Sequence, residues 1–254
     1  MLSKLLKYEF MATSRFALPL MAVCLLSAGV TRLLLMLDST IVMGLMLTLS
    51  LLIIVAELVV IIIMMIQRFY KNLLGDEGYL MFTLPTDAHR LILSKLISAF
   101  VWVLGAVLCM LASLAIIFLI GTPFASFDPW DAIKGLIGLL SQAGPAYIAL
   151  TVIDLLIFIL TAMTMFYVSM ALGSVMGRNR VLLSFVAYFM IYMITEAIMG
   201  GAILFVLFAL PGLAAWFGEN MISLFVIMGL WYLAQAAVYY AVTHRVLSRR
   251  LNLE

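Results

Sequence analysis

Long apolar runs, separated by short polar breaks, dominate the chain. Six of them, at about 16–37, 41–66, 91–120, 146–172, 182–200 and 221–243, have centres free of polar stretches, and the breaks carry most of the charges and turn formers. Each run is long enough to cross a bilayer as one helix, which takes about 20 apolar residues. The pattern therefore predicts an all-α membrane protein with six transmembrane helices and one membrane domain covering 1–254. No internal repeat or low-complexity linker divides it.

The first fifteen residues follow a different pattern. Leu2, Leu5, Leu6 and Phe10 recur at helical spacing, and Ser3, Lys4 and Lys7 fall on the other side. This predicts an amphipathic interfacial helix over 1–15, apolar face in the membrane and lysines toward anionic lipid. A basic start followed by apolar residues and Leu26-Ser27-Ala28-Gly29 is also the outline of a secretory signal peptide. The length and amphipathicity of the basic segment, with Glu9 inside it, favour a retained helix.

The fifth run poses a length problem. From Val181 to Phe217 the only charge is Glu196, and one helix over that stretch would be about 55 Å long, against about 30 Å of hydrocarbon. Gly200-Gly201 and Pro211-Gly212 are the expected break points. The reading is a crossing to about 200, then an outer re-entrant hairpin over 201–220, with one long tilted helix and a loop as the alternative. Between the third and fourth runs, Asp128-Pro129-Trp130 predicts a helix start with Asp128 as N-cap and Trp130 as interfacial anchor.

Composition agrees with a membrane setting. Of 254 residues, 67% are hydrophobic and 10% charged, where soluble domains average roughly 45–50% and 25%. The distribution of Lys and Arg gives the orientation. With the N-terminus inside, Lys4, Lys7, Arg15, Arg68, Lys71, Arg90, Lys95, Arg178, Arg180, Arg245, Arg249 and Arg250 are cytoplasmic, and only Arg32 and Lys134 are outside. This bias needs an even number of crossings and places both termini in the cytoplasm.

Catalytic signatures are missing. The sequence has no GxxxxGK[ST], HExxH or GxSxG motif, so enzyme activity in this chain alone is not expected. Cys24 and Cys109 lie inside apolar runs without CxxC or Cys/His spacing, which argues against a disulfide framework or a structural metal. His89 and His244 read as boundary residues with no catalytic partner. Glu57, Asp154 and Glu196 fall within the second, fourth and fifth runs, and Arg32 lies near the outer end of the first. Such groups face a bundle interior and find partners, either as a relay or substrate path or as pins between helices. The methionines, including Met64, Met65, Met163, Met165, Met190, Met193 and Met199, pack spans or line an apolar path, and Tyr188, Tyr192, Tyr239 and Tyr240 allow the same two readings.

The largest polar island is the break between the second and third runs, QRFYKNLLGDEGYLMFTLPTDAHRLILSK. Its centre can form a short helix capped by Gly75 or Asp76 and ended by Pro85, with Asp76 and Glu77 opposing the positive helix start. Gly78, Tyr79, Leu80, Met81 and Phe82 complete the element, whose apolar side chains need a covering surface. Anionic headgroups repel the acidic pair, which favours a protein partner over lipid.

RFYKNLLGDEGYLMFTLP, followed by a basic loop and LILSK, resembles the cytoplasmic loop of type-2 ABC transporter permeases, in a subgroup common in Gram-positive bacteria. An amphipathic N-terminal helix, six spans and a broken fifth span with a re-entrant hairpin extend the likeness as shared architecture. The resemblance implies the membrane subunit of an ATP-driven exporter in the bacterial cytoplasmic membrane. It would pair with a second permease subunit, identical or homologous, and with ABC ATPase subunits that carry ATP and Mg. This chain would hold no cofactor, and membrane lipid but no nucleic acid would be a partner. The loop at 67–90 would be the coupling loop, with Gly75, Asp76, Glu77, Gly78, Tyr79, Leu80, Met81 and Phe82 engaging the ATPase. Amphipathic or antimicrobial peptides are the first implied substrates, and lipid-linked or drug-like molecules the second. The alternatives are an ion-coupled carrier using Glu57, Asp154 and Glu196, and a non-transporting membrane scaffold or sensor.

Overall fold

A computed structural model describes residues 2–35, 40–75, 87–119, 134–135, 138, 144–176 and 179–251. The described residues are helical almost throughout, without strands. They form α1 (Leu2–Leu34), α2 (Thr40–Phe69), α3 (Ala88–Leu119), α4 (Pro145–Met176), α5 (Arg180–Ala209), α6 (Pro211–Glu219) and α7 (Met221–Leu251). A π turn, Tyr70–Leu74, prolongs α2. Six of the helices, all but α6, are long and apolar enough to cross a membrane. Helices suit that setting because they satisfy every interior N–H and C=O within the segment.

The chain divides into two compact units. The first comprises Met1–Gln67 and Ile97–Gly144, hence α1, most of α2 and most of α3. Its core joins Cys24, Ala28, Leu35, Ile54, Cys109 and Ile117. Within it α1 and α2 run antiparallel: the hydroxyls of Thr31 and Ser50 meet in a hydrogen bond. The helices α1 and α3 run parallel, since Phe10 approaches Trp102 and Cys24 approaches Ser113.

The second unit comprises Arg68–Leu96 and Pro145–Glu254, with α4 packed against both α5 and α7. Gly173 makes the approach of α4 and α5 close. A Cβ there would fall against the backbone N, the Cα and the Oγ of Ser184. Phe166 and Tyr188 stack along the same antiparallel seam, ring centroids 4.9 Å apart. On the other side the Thr161 hydroxyl donates to the Tyr232 carbonyl at 2.9 Å.

Several expectations need correction. The segment 1–15 is not a separate helix: α1 continues unbroken to Leu34, with Pro19 inside it. No turn former separates the two stretches, and the Thr13 hydroxyl folds back onto the Glu9 carbonyl at 2.7 Å. The amphipathic pattern itself is present, with Ser3, Lys4 and Lys7 exposed and Leu2, Leu5, Leu6 and Phe10 half-buried. The helix α5 runs through Gly200-Gly201 without a break. Two glycines cost about 1 kcal/mol each, less than leaving the backbone bonds of an apolar segment unmade. The chain breaks instead at Leu210, before Pro211, and again at Asn220, so one nine-residue helix stands where two short pieces were expected. With α5 thus shortened, its length is about 45 Å.

Both flanks of the polar island are helical. Its first residues belong to α2 and the π turn, and Ala88 already begins α3. Gly75 ends the preceding helix, its N–H bonded to the Tyr70 carbonyl at 2.8 Å. Asp76, Glu77, Gly78, Tyr79, Leu80, Met81 and Phe82 lie outside the described residues, as does the expected helix start at Asp128-Pro129-Trp130.

Candidate functional site

Two constellations stand out, one in each unit. In the first, Cys24 of α1, Glu57 of α2 and Cys109 of α3 converge, with one thiol or carboxylate atom from each lying within 4.8 Å of the others. All three are buried, Glu57 to 1% exposure, and neither of its carboxylate oxygens has a hydrogen-bond partner among the described residues. The Cys24 Sγ lies 3.3 Å from the Ser113 Oγ, and the Cys109 thiol donates weakly to the Met21 carbonyl at 3.5 Å. Helix periodicity explains the meeting. Cys24 and Thr31 stand seven residues apart on α1, as do Ser50 and Glu57 on α2, so each pair shares a stripe two turns long. The reflection that sets Thr31 on Ser50 then sets Cys24 near Glu57. Apolar residues surround the cluster, with Met21 and Met110 among those packed on the same core.

In the second unit the polar and aromatic contacts gather where α2 ends and α3 begins. Phe69, fully buried, stacks on Tyr167 of α4 with centroids 3.8 Å apart. The Tyr167 hydroxyl donates to the Lys95 carbonyl at 3.2 Å. Tyr167 thus touches the end of α2 and the first turns of α3 together. Beside them the Tyr240 hydroxyl and His89 Nδ1 share a 2.6 Å hydrogen bond, and the His89 and His244 rings meet edge to face at 6.3 Å. The two histidines, distant in sequence, are therefore neighbours with a tyrosine partner. An open recess of about 590 Å³ at this end is lined by Tyr70, Asn179, Arg180, Val181, Leu182 and Phe185.

The intramembrane candidates do not share one environment. Arg32 belongs to the first unit, and its Nε and one terminal nitrogen are buried without a hydrogen-bond partner among the described residues. Asp154, half-buried on α4, lies over Gly229 of α7, where a Cβ would meet its carboxylate. Glu196 is exposed on α5. The α4–α5 register set by Gly173 and Ser184 brings Glu196 level with Thr161, roughly 10 Å along the axis from Asp154. That separation is too long for direct proton transfer between the two acids.

Neither a known protein family, nor a characterised protein, nor a solved structure matches the chain.

Proposed function

We propose that this chain is the membrane-spanning subunit of an ATP-driven exporter of the type-2 ABC class, working with separate ATPase subunits and a second permease subunit. The observation that carries the reading is the attachment to α4 of both helices that flank the segment 76–86. Phe69 from the preceding helix and Lys95 from the following one both engage Tyr167, and Arg68–Leu96 clusters with α4 to α7 in one compact unit. A load on the loop is thereby delivered to a packed helical body. In this reading the loop faces the cytoplasm, both ends of the chain lie on that side, and α6 belongs to an outer re-entrant element.

The surface of α5 supports a second membrane subunit. Beyond Ala187 none of its residues is buried, yet it carries Glu196 amid exposed apolar side chains such as Phe189, Ile194 and Phe205. A carboxylate facing lipid is costly, so a partner surface is the better environment. ATP closure of the partner ATPases would move the loops, and the permease pair would switch its opening from one face to the other. Amphipathic or antimicrobial peptides are the first substrates to test.

The test is co-purification of the tagged chain with a P-loop ATPase, followed by transport assays on Glu77→Lys and Leu80→Asp. Both variants should remain folded and lose coupled transport. Unchanged ATPase binding and unchanged transport in both would overturn the proposal.

A further inference from the structure

We infer that Cys24, Glu57 and Cys109 form a binding site for a thiophilic divalent cation of the zinc and cadmium class. Two thiols and a carboxylate from three different helices converge within 4.8 Å. Metal–sulfur bonds of about 2.3 Å place two thiolates bound to one tetrahedral ion about 3.8 Å apart, a separation that falls within the 4.8 Å spread of the cluster. Glu57 is the independent indication. Its two buried oxygens make no well-formed hydrogen bond among the described residues, and the groups beside them are the two cysteine thiols, weak donors that leave a buried carboxylate short of a counter-charge.

The donor set selects the ion. Thiolates exclude the hard cations Mg²⁺ and Ca²⁺, which take oxygen ligands. Metal binding releases the two thiol protons to solvent; the resulting two thiolates and one carboxylate carry three negative charges, and a divalent ion leaves less residual charge in an apolar surrounding than a monovalent one. Three protein ligands also leave a tetrahedral ion one open position, which permits exchange. The Ser113 hydroxyl, 3.3 Å from the Cys24 sulfur, is placed to orient that ligand from outside the shell. The site lies wholly within the first unit and does not depend on the transport proposal.

The full-length protein, purified in detergent with reduced thiols, is titrated with CdCl₂ and followed by thiolate-to-metal absorbance in the ultraviolet. The expected result is saturation at one Cd²⁺ per chain, displacement by Zn²⁺ and indifference to excess Mg²⁺. Cys24→Ala and Cys109→Ala should each abolish the signal, and Glu57→Gln should weaken binding about tenfold or more. A second measurement needs no variant: Zn²⁺ should slow maleimide labelling of both cysteines in the unaltered protein. Absence of a saturating signal, a signal unchanged in Cys24→Ala, or labelling indifferent to Zn²⁺ would each overturn the inference.

Discussion

Gly173→Ala tests how tightly α4 and α5 are packed. The added methyl would fall against the N, Cα and Oγ of Ser184. The hydroxyl could rotate away, giving up its 2.8 Å bond to the Arg180 carbonyl, but the backbone atoms move only if α5 moves. Overpacking of this kind costs about 1–3 kcal/mol. A clash with backbone puts the cost in the upper part of that range, about 2–3 kcal/mol; alanine recovers up to about 1 kcal/mol of helix propensity over glycine, which leaves a net loss of about 1–2 kcal/mol. For a chain of this size that corresponds to a fall in Tm of about 2–8 °C. Thermal unfolding in a fixed detergent, followed by circular dichroism, reads the change. Gly200→Ala and Gly201→Ala are the controls. A Cβ at either site meets nothing within 4 Å, so both should leave Tm unchanged or raise it by a few degrees. A Gly173→Ala protein as stable as the parent would refute the reasoning, and so would a Gly200→Ala protein that loses as much.

Two further substitutions probe the loop flanks. Tyr167→Phe removes the hydroxyl that reaches the Lys95 carbonyl and should cost about 0.5–1.5 kcal/mol, with faster tryptic cleavage after Lys71 or Arg90; unchanged cleavage would count against the clamp. Gly75→Ala places a Cβ 2.9 Å from the Lys71 carbonyl oxygen and should disturb the π turn by about 1 kcal/mol, lowering transport more than Tm.

The helices were legible because apolar runs of bilayer length need little more than a count. Their breaks were less so. Gly200-Gly201 reads as a break by water-based propensity, yet helix backbone bonds outweigh that preference in an apolar segment. Pro211 is a true break because proline also lacks the N–H and clashes with the preceding turn. The Cys24–Glu57–Cys109 cluster was missed because cysteine spacing was judged along the chain, whereas its ligands come from three helices. A usable signal existed: the antiparallel pairing of α1 and α2 that sets Thr31 against Ser50 also sets Cys24 near Glu57. The meeting of Cys109 with them required the α1–α3 register, which no local pattern encodes. Likewise His89, His244 and Tyr240 join through tertiary packing alone, and Tyr167 meets Phe69 and Lys95 across sequence separations that no local pattern encodes.

The most direct measurement is ATP-driven flux in proteoliposomes holding this chain and its co-purifying ATPase, with a labelled amphipathic peptide as cargo. The proposed function requires accumulation that depends on ATP and is lost in Leu80→Asp at equal protein content. Flux that needs no ATPase, follows an ion gradient and disappears in Glu57→Gln would contradict it.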